Sequence, residues 1–343
     1  MGTALIPLHL VTGFLGAGKT TLINRLLRAP ELAETLVIVN EWGEIGLDHL
    51  LFETIADDVI LMAAGCLCCT LRGDLIDGLH DVLRRRDEGA TPPFARIVLE
   101  TSGLADPAPI LHAWLADAVL AERTEIAGVT TVVEAVDGAA TLEAHGEARR
   151  QVALADRIAL TKVDLAAPAA LIGLRQGLQE INPAARILDA ASDFGAREFF
   201  AGPLDFPFPE RATRMAAHGG AVRARAFTTS EPVGAQALAR FLACLGAMLG
   251  PRLLRVKGLV ATAELPDRPL VIQGAQHVFH PPRRLPAWPD GSRATRMVVI
   301  SEGLESADVE GLWRALVGIP EIDRPDLAAL TENPLAPRLG GLF

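Results

Sequence analysis

Over roughly the first 190 residues, short apolar runs alternate with amphipathic stretches. Runs at 5–12, 35–40, 59–62, 97–100, 128–136 and 157–161 are rich in Val, Ile, Leu and Ala, the composition of strands buried on both faces. Between several of them lie helix-like segments at 20–27, 73–86, 108–121 and 139–155. Strand–helix alternation of this kind predicts a mostly parallel sheet covered by helices on both faces. The stretch 193–220 breaks the rhythm with Gly195, Gly202, Pro203, Pro207, Pro209, Gly219 and Gly220, which is linker chemistry. From 221 onward the pattern becomes α+β. Strands are expected at 223–229, 253–263, 270–279 and 295–301, with helices at 232–249 and 306–317. There is no internal repeat, and the tail after Pro320 carries no strong pattern.

The 343 residues exceed one typical domain of roughly 150. A hydrophobic share of 50% against 22% charged excludes a disordered chain and supplies ample core. The formal charge of −10, spread along the chain, argues weakly against nucleic acid or an anionic membrane as the main partner. No apolar run reaches the roughly 18–20 residues of a membrane span, and the apolar segment 4–11 lacks the basic flank of a signal peptide. Four cysteines are too few for a disulfide scaffold, and three of them fall within four positions. Such clustering points to a metal or redox site in a reducing compartment, and the expected location is the cytoplasm.

Gly13-Phe14-Leu15-Gly16-Ala17-Gly18-Lys19-Thr20 fits G-x-x-x-x-G-K-[ST], placed after an expected strand and at the start of an expected helix. In that setting backbone N–H groups of Gly13, Gly16, Ala17 and Gly18 turn toward phosphate, and the helix N-terminus adds a favourable dipole. Lys19 would bridge β- and γ-phosphate oxygens, the Thr20 hydroxyl would ligate Mg²⁺, and Thr21 would reach the α-phosphate. This reads as a nucleoside triphosphate site.

Thr161-Lys162-Val163-Asp164 closes another apolar strand. A carboxylate at Asp164 can accept from the N1–H and N2–H₂ edge of guanine, which adenine does not offer, so GTP is expected over ATP. The Lys162 stem can lie along the base. Thr161 stands where such patterns usually carry Asn, keeping a hydroxyl but losing the amide. Glu100 ends the 97–100 strand, where it can hold Mg²⁺ through water, and Gly103 can present its N–H to the γ-phosphate. The loop 40–48, with Glu41, Gly43, Glu44, Gly46 and Asp48, suits a segment that rearranges with the γ-phosphate.

Cys66, Cys68 and Cys69 place three thiols together. As thiolates they repel, and a soft or borderline cation is the natural compensation. Zn²⁺ prefers four tetrahedral ligands, so one position stays open for a carboxylate, a histidine or water, with Glu44 a candidate. A strained Cys68–Cys69 disulfide and three merely buried thiols are the alternatives. Cys244, in a very apolar helical stretch, is expected in the core.

Taken together, GFLGAGKTTL (13–22), NEWGEIGLD (40–48), GCLCC (65–69), ETSGLADP (100–107) and TKVD (161–164) resemble the CobW-type GTPases of the SIMIBI class, which also holds the nickel chaperones UreG and HypB. LLRVKGL (253–259), VIQGAQHVFHPP (271–282), Trp288 and TRMVVI (295–300) resemble that family's C-terminal domain. The resemblance covers roughly residues 5–317. Trp42 stands where Phe is commoner, and the inter-domain segment holds His218 alone where many relatives are histidine-rich. The resemblance implies a P-loop GTPase domain over 1–195, a linker over 196–220, a smaller α+β domain over 221–320 and a tail over 321–343. It also implies GTP hydrolysis coupled to loading or delivery of zinc, with cobalt the other candidate, through Cys66, Cys68 and Cys69 to a client protein. Three readings stay open: a GTPase driving metal transfer, a nucleotide-gated metal buffer or sensor, and a small-molecule kinase or ligase using the same cradle. Dimerisation that depends on nucleotide or metal is also left open.

Overall fold

The computed structural model describes residues 5–30, 33–40, 52–56, 59–64, 72–192, 195–200, 222–276, 278–279, 282–289, 291–303 and 306–318. Eight strands form the first sheet: β1 (Ile6–Gly13), β2 (Thr35–Asn40), β3 (Phe52–Ala56), β4 (Val59–Ala64), β5 (Arg96–Glu100), β6 (Thr124–Glu134), β7 (Arg157–Thr161) and β8 (Arg186–Asp189). Their spatial order is β3-β4-β2-β5-β1-β6-β7-β8. Every pairing is parallel except β3 with β4, an antiparallel edge. β1 sits where the chain's crossovers change direction, and in such sheets the crevice beyond the strands' carboxyl ends at that point is where ligands bind.

Helices α1 (Lys19–Leu26), α2 (Arg72–Asp87), α3 (Ala108–Ala116), α4 (Ala118–Arg123), α5 (Gly138–Ala144), α6 (Gly146–Leu154), α7 (Pro168–Ile181) and α8 (Ala196–Phe200) cover both faces. On one face Leu8, Leu10, Leu36, Ile38, Ile97 and Leu99 pack under Leu79 and Leu83 of α2 and Trp114 of α3. On the other, Val11, Val37, Val98 and Val132 meet Leu22, Ile23 and Leu26 of α1. Residues one apart on a strand face opposite sides, so burial on both faces calls for apolar residues in both alternating sets of positions.

Several expectations need correction. The segment 108–121 is two helices, because Asp117 leaves the helix at ψ 119 and its side chain accepts from the Leu120 N–H as a fresh N-cap. Likewise 139–155 is broken at His145, which takes an extended conformation ahead of Gly146. The run 270–279 is the end of one strand and a short partner returning on it, turned at Gln276 with φ 53. The first residues of the stretch read as linker form α8, whose Phe199 is buried and lies against the His9 ring.

The second sheet is antiparallel. It comprises β9 (Val222–Thr229), β10 (Leu253–Thr262), β11 (Leu265–Ala275), β12 (Val278–Phe279), β13 (Arg283–Arg284) and β14 (Thr295–Glu302), in the order β12-β11-β10-β14-β9 with β13 on β11. Helices α9 (Ala235–Leu249) and α10 (Ser306–Leu316) cover one face through Phe241, Leu245 and Trp313. The other face presents Ala224, Ala226 and Val298 to Ala153 and Ala184 of the first unit, small residues that let the two approach closely. At this seam the buried Asp156 carboxylate meets Arg255 at 2.7 Å and Lys257 at 2.5 Å. Cys244, in α9, is exposed, which corrects its expected burial. No helix among the described residues is long and apolar enough to cross a membrane.

Candidate functional site

β1 runs into Gly13, the chain turns through 14–18, and α1 starts at Lys19. Glycine is required at 13 because a Cβ there would lie 2.2 Å from the Val132 carbonyl oxygen of β6. The Lys19 ammonium folds back over the turn, donating to the carbonyls of Gly13 at 3.0 Å and Phe14 at 3.2 Å. It is thereby held across the concave side of the loop, where phosphate charge would be met.

Parallel pairing puts Val11 opposite Glu100, so the end of β5 stands beside the phosphate loop. The Thr20 hydroxyl donates to Glu100 Oε1 at 2.8 Å. Thr101 is fixed to β1 twice, its N–H on the Val11 carbonyl at 2.9 Å and its hydroxyl on the Thr12 hydroxyl at 2.8 Å. A cavity of about 500 Å³ opens here, walled by Leu15, Gly16, Gly18, Lys19, Thr20, Thr21, Glu100 and residues 101–103. The residues read from two separate motifs therefore share one wall. A hydroxyl and a carboxylate in contact at its floor are hard oxygen donors of the kind Mg²⁺ takes, with phosphate and water completing its shell.

The third motif stands beside the loop rather than in that wall. The Thr161 hydroxyl, at the end of β7, donates to the Ala17 carbonyl at 2.7 Å. The chain then turns at Lys162, φ 53, into one 3₁₀ turn, Val163–Leu165, on which Asp164 is exposed. Lys162 is ion-paired with Glu134 at the tip of β6.

Two residues of the site carry no motif. Glu134 is one, as the partner of Lys162. Gln151 of α6 is the other: fully buried, it donates to the carbonyls of Gly103 at 3.1 Å and Ala105 at 3.0 Å. Its sequence signal is a lone amide on an otherwise apolar helix face. The next residues of the loop are also held. Asp106 accepts from the Ala108 N–H at 2.9 Å, and burial pushes its carboxyl up against the opposing pull of Arg150. Glu44, Cys66, Cys68 and Cys69 lie outside the described residues. Among the described residues, no three His, Cys, Asp or Glu side chains group as a metal would need.

Residues 7–189 match the family model "CobW/HypB/UreG, nucleotide-binding domain", and 222–317 match "Cobalamin synthesis protein cobW C-terminal domain". The zinc chaperone YjiA of Escherichia coli is 31% identical over 318 residues, 91% of this chain and 98% of YjiA. The zinc chaperone CobW of Pseudomonas aeruginosa is 30% identical over 350 residues, 91% of each chain. The crystal structure of the Zn(II)-bound YjiA GTPase superposes with a TM-score of 0.71 at 28% identity, spanning 92% of this chain and 99% of that one. With its nucleotide-binding and C-terminal regions both matched in order, this chain belongs to the CobW/HypB/UreG family.

Proposed function

We propose that this chain is a GTP-hydrolysing metallochaperone of the cytoplasm that takes zinc at Cys66, Cys68 and Cys69, with Glu44 as fourth ligand, and delivers it to a client protein. On this reading residues 1–195 form the nucleotide unit and 221–320 a second unit joined through 196–220. The contact that carries the reading is Thr20 with Glu100 at the floor of the phosphate cavity, since it brings the Mg²⁺-type donors of two motifs together beside Lys19. The names of the full-length relatives supply the zinc.

Hydrolysis here is electrostatic work. Lys19 already lies across the loop, and moving its ammonium from the Gly13 and Phe14 carbonyls onto phosphate oxygens exchanges neutral acceptors for charged ones. Thr20 and Glu100 would hold Mg²⁺, which when bound neutralises charge on the β- and γ-phosphates. Gly103 lines the same cavity, and its N–H would donate to the γ-phosphate as water attacks, giving GDP and phosphate. Asp164 would select guanine, with Thr161 fixing its turn to the phosphate loop.

Purified protein with Mg²⁺ should release phosphate from GTP far faster than from ATP, and zinc or a client should stimulate turnover. Equal rates on the two nucleotides would overturn guanine selection. Turnover indifferent to metal and client would leave a buffer with incidental GTPase activity.

A further inference from the structure

The loop 101–107 is clamped along its length. Thr101 is tied to β1 at its start. Asp106 lies 3.6 Å from Arg150 at its end. In the middle, both amide hydrogens of Gln151 are used on the carbonyls of Gly103 and Ala105. The Gln151 backbone is itself fixed, because its carbonyl accepts from the Thr131 hydroxyl of β6 at 2.7 Å. Gly103 also packs closely on the phosphate loop, where a Cβ would come within 2.7 Å of the Leu15 backbone nitrogen. One residue is thus held between the phosphate loop and a buried amide.

We infer that Gln151 is a positioning residue for the γ-phosphate: by fixing the Gly103 and Ala105 carbonyls, it sets the direction of the Gly103 N–H. The inference rests on the GTPase reading above. The Gly103 carbonyl belongs to the peptide after Gly103 and its N–H to the peptide before, so the two are linked through φ and ψ of that residue. With Thr101 tied to β1 and Gly103 packed on Leu15, holding the carbonyl narrows both torsions together. A glycine without this clamp would sample a broad range of torsions, and its N–H would be aligned in only a fraction of them. Alignment of a donor to developing charge matters most in the transition state, so the clamp acts on turnover and on the distinction between tri- and diphosphate. Gln151 touches no nucleotide atom itself. Glutamine suits the task because one side chain offers two donors, and a buried carboxylate of the same size would repel both carbonyls.

The test is Gln151→Glu in the full chain, with Gln151→Met as a volume-matched second variant that carries the same expectation should the first fail to fold. GTP turnover should fall by roughly tenfold or more in kcat while GDP affinity stays at the parent's value, because positioning of a single donor acts on the transition state and not on the diphosphate. The parent's preference for a non-hydrolysable GTP analogue over GDP should shrink in the same variants. Parental kcat and an undiminished preference would overturn the proposal, and so would equal losses for GDP and GTP, the mark of a general packing defect. A parent protein that binds the analogue but turns over no GTP would sink the GTPase reading; the analogue-to-GDP ratio still judges the clamp in that case.

Discussion

The hydroxyl of Thr161 donates to the carbonyl of Ala17 across 2.7 Å, tying the turn that carries Asp164 to the phosphate loop. An amide is the usual group for such a tie, and here a hydroxyl makes it. Thr161→Val keeps the shape and removes the bond, so GTP and GDP affinity should fall together by about fivefold, the worth of one hydrogen bond near 1 kcal/mol. Calorimetric titration of both nucleotides checks this, and a loss confined to GTP would contradict it.

Lys19→Ala should lower turnover by about 10²–10³, since removing one preorganised charged donor costs that much in comparable sites. Glu100→Gln keeps the hydrogen bond from Thr20 but removes the charge a divalent cation needs. Its turnover should recover in part at high Mg²⁺, whereas that of Lys19→Ala should not. A magnesium titration of both variants separates the two roles.

Asp164→Asn should weaken GTP and favour xanthosine triphosphate, because the amide donates where xanthine carries a carbonyl. The carboxylate-to-guanine pair is worth on the order of 2–4 kcal/mol, judged from charge-assisted hydrogen bonds. An unchanged base preference would show that Asp164, exposed on its 3₁₀ turn, does not read the base.

The sheet was legible because its apolar runs fill both alternating sets of positions, as Leu8, Leu10 and Val11 of β1 do, which burial on both faces explains. Proximity of Thr20 to Glu100 also follows from sequence, since Glu100 ends β5, Thr20 opens the helix that follows the end of β1, and parallel pairing aligns those two strand ends. The breaks at Asp117 and His145 were hidden inside runs whose helical periodicity continues across them. β8 is four residues long with a charged residue at each end, so no apolar run marks it, whereas Pro168 does mark the first turn of α7. Gln151 shows in the sequence as no more than a lone amide on an apolar helix face, because its partners are backbone carbonyls more than forty positions away and no spacing rule links an amide to them. The seam between the sheets is the same kind of case: no spacing rule links Asp156 to Arg255 and Lys257, which the fold buries together.

That buried charge extends to His9, whose imidazole pKa is driven from 6.5 to about 3 by burial first and by the Arg157 guanidinium second. Between those two values the unfolded chain binds a proton that the folded one refuses, so stability falls as pH drops. The contribution is complete above pH 6.5 and is lost progressively toward pH 3. His9→Phe, which keeps a ring against Phe199, should flatten the stability profile in that window by a few kcal/mol at its acid end. Urea unfolding at several pH values compares the two; parallel profiles would mean that His9 titrates normally in the fold.

The last expectation concerns coupling between nucleotide and metal. If one arrangement of the loop 40–48 serves both γ-phosphate and the cysteine site, each ligand must change the other's affinity by the same factor. A useful switch carries about 1–3 kcal/mol, a shift of roughly 5- to 150-fold. Zinc should bind more tightly with a non-hydrolysable GTP analogue than with GDP, because an ordered loop brings Glu44 to complete a shell that three thiolates leave open. On that expectation hydrolysis would lower the affinity and free the ion for transfer, which is what would distinguish a chaperone from a store. Zinc titration against a competing chelator in both nucleotide states reads the factor, and Glu44→Ala should reduce it toward one. Cobalt gives a second readout: thiolate charge-transfer absorbance should appear in the parent and vanish when Cys66, Cys68 and Cys69 are all replaced by Ser. Equal zinc affinity in the two nucleotide states of the parent would remove the thermodynamic basis for GTP-driven release, whatever the GTPase rate.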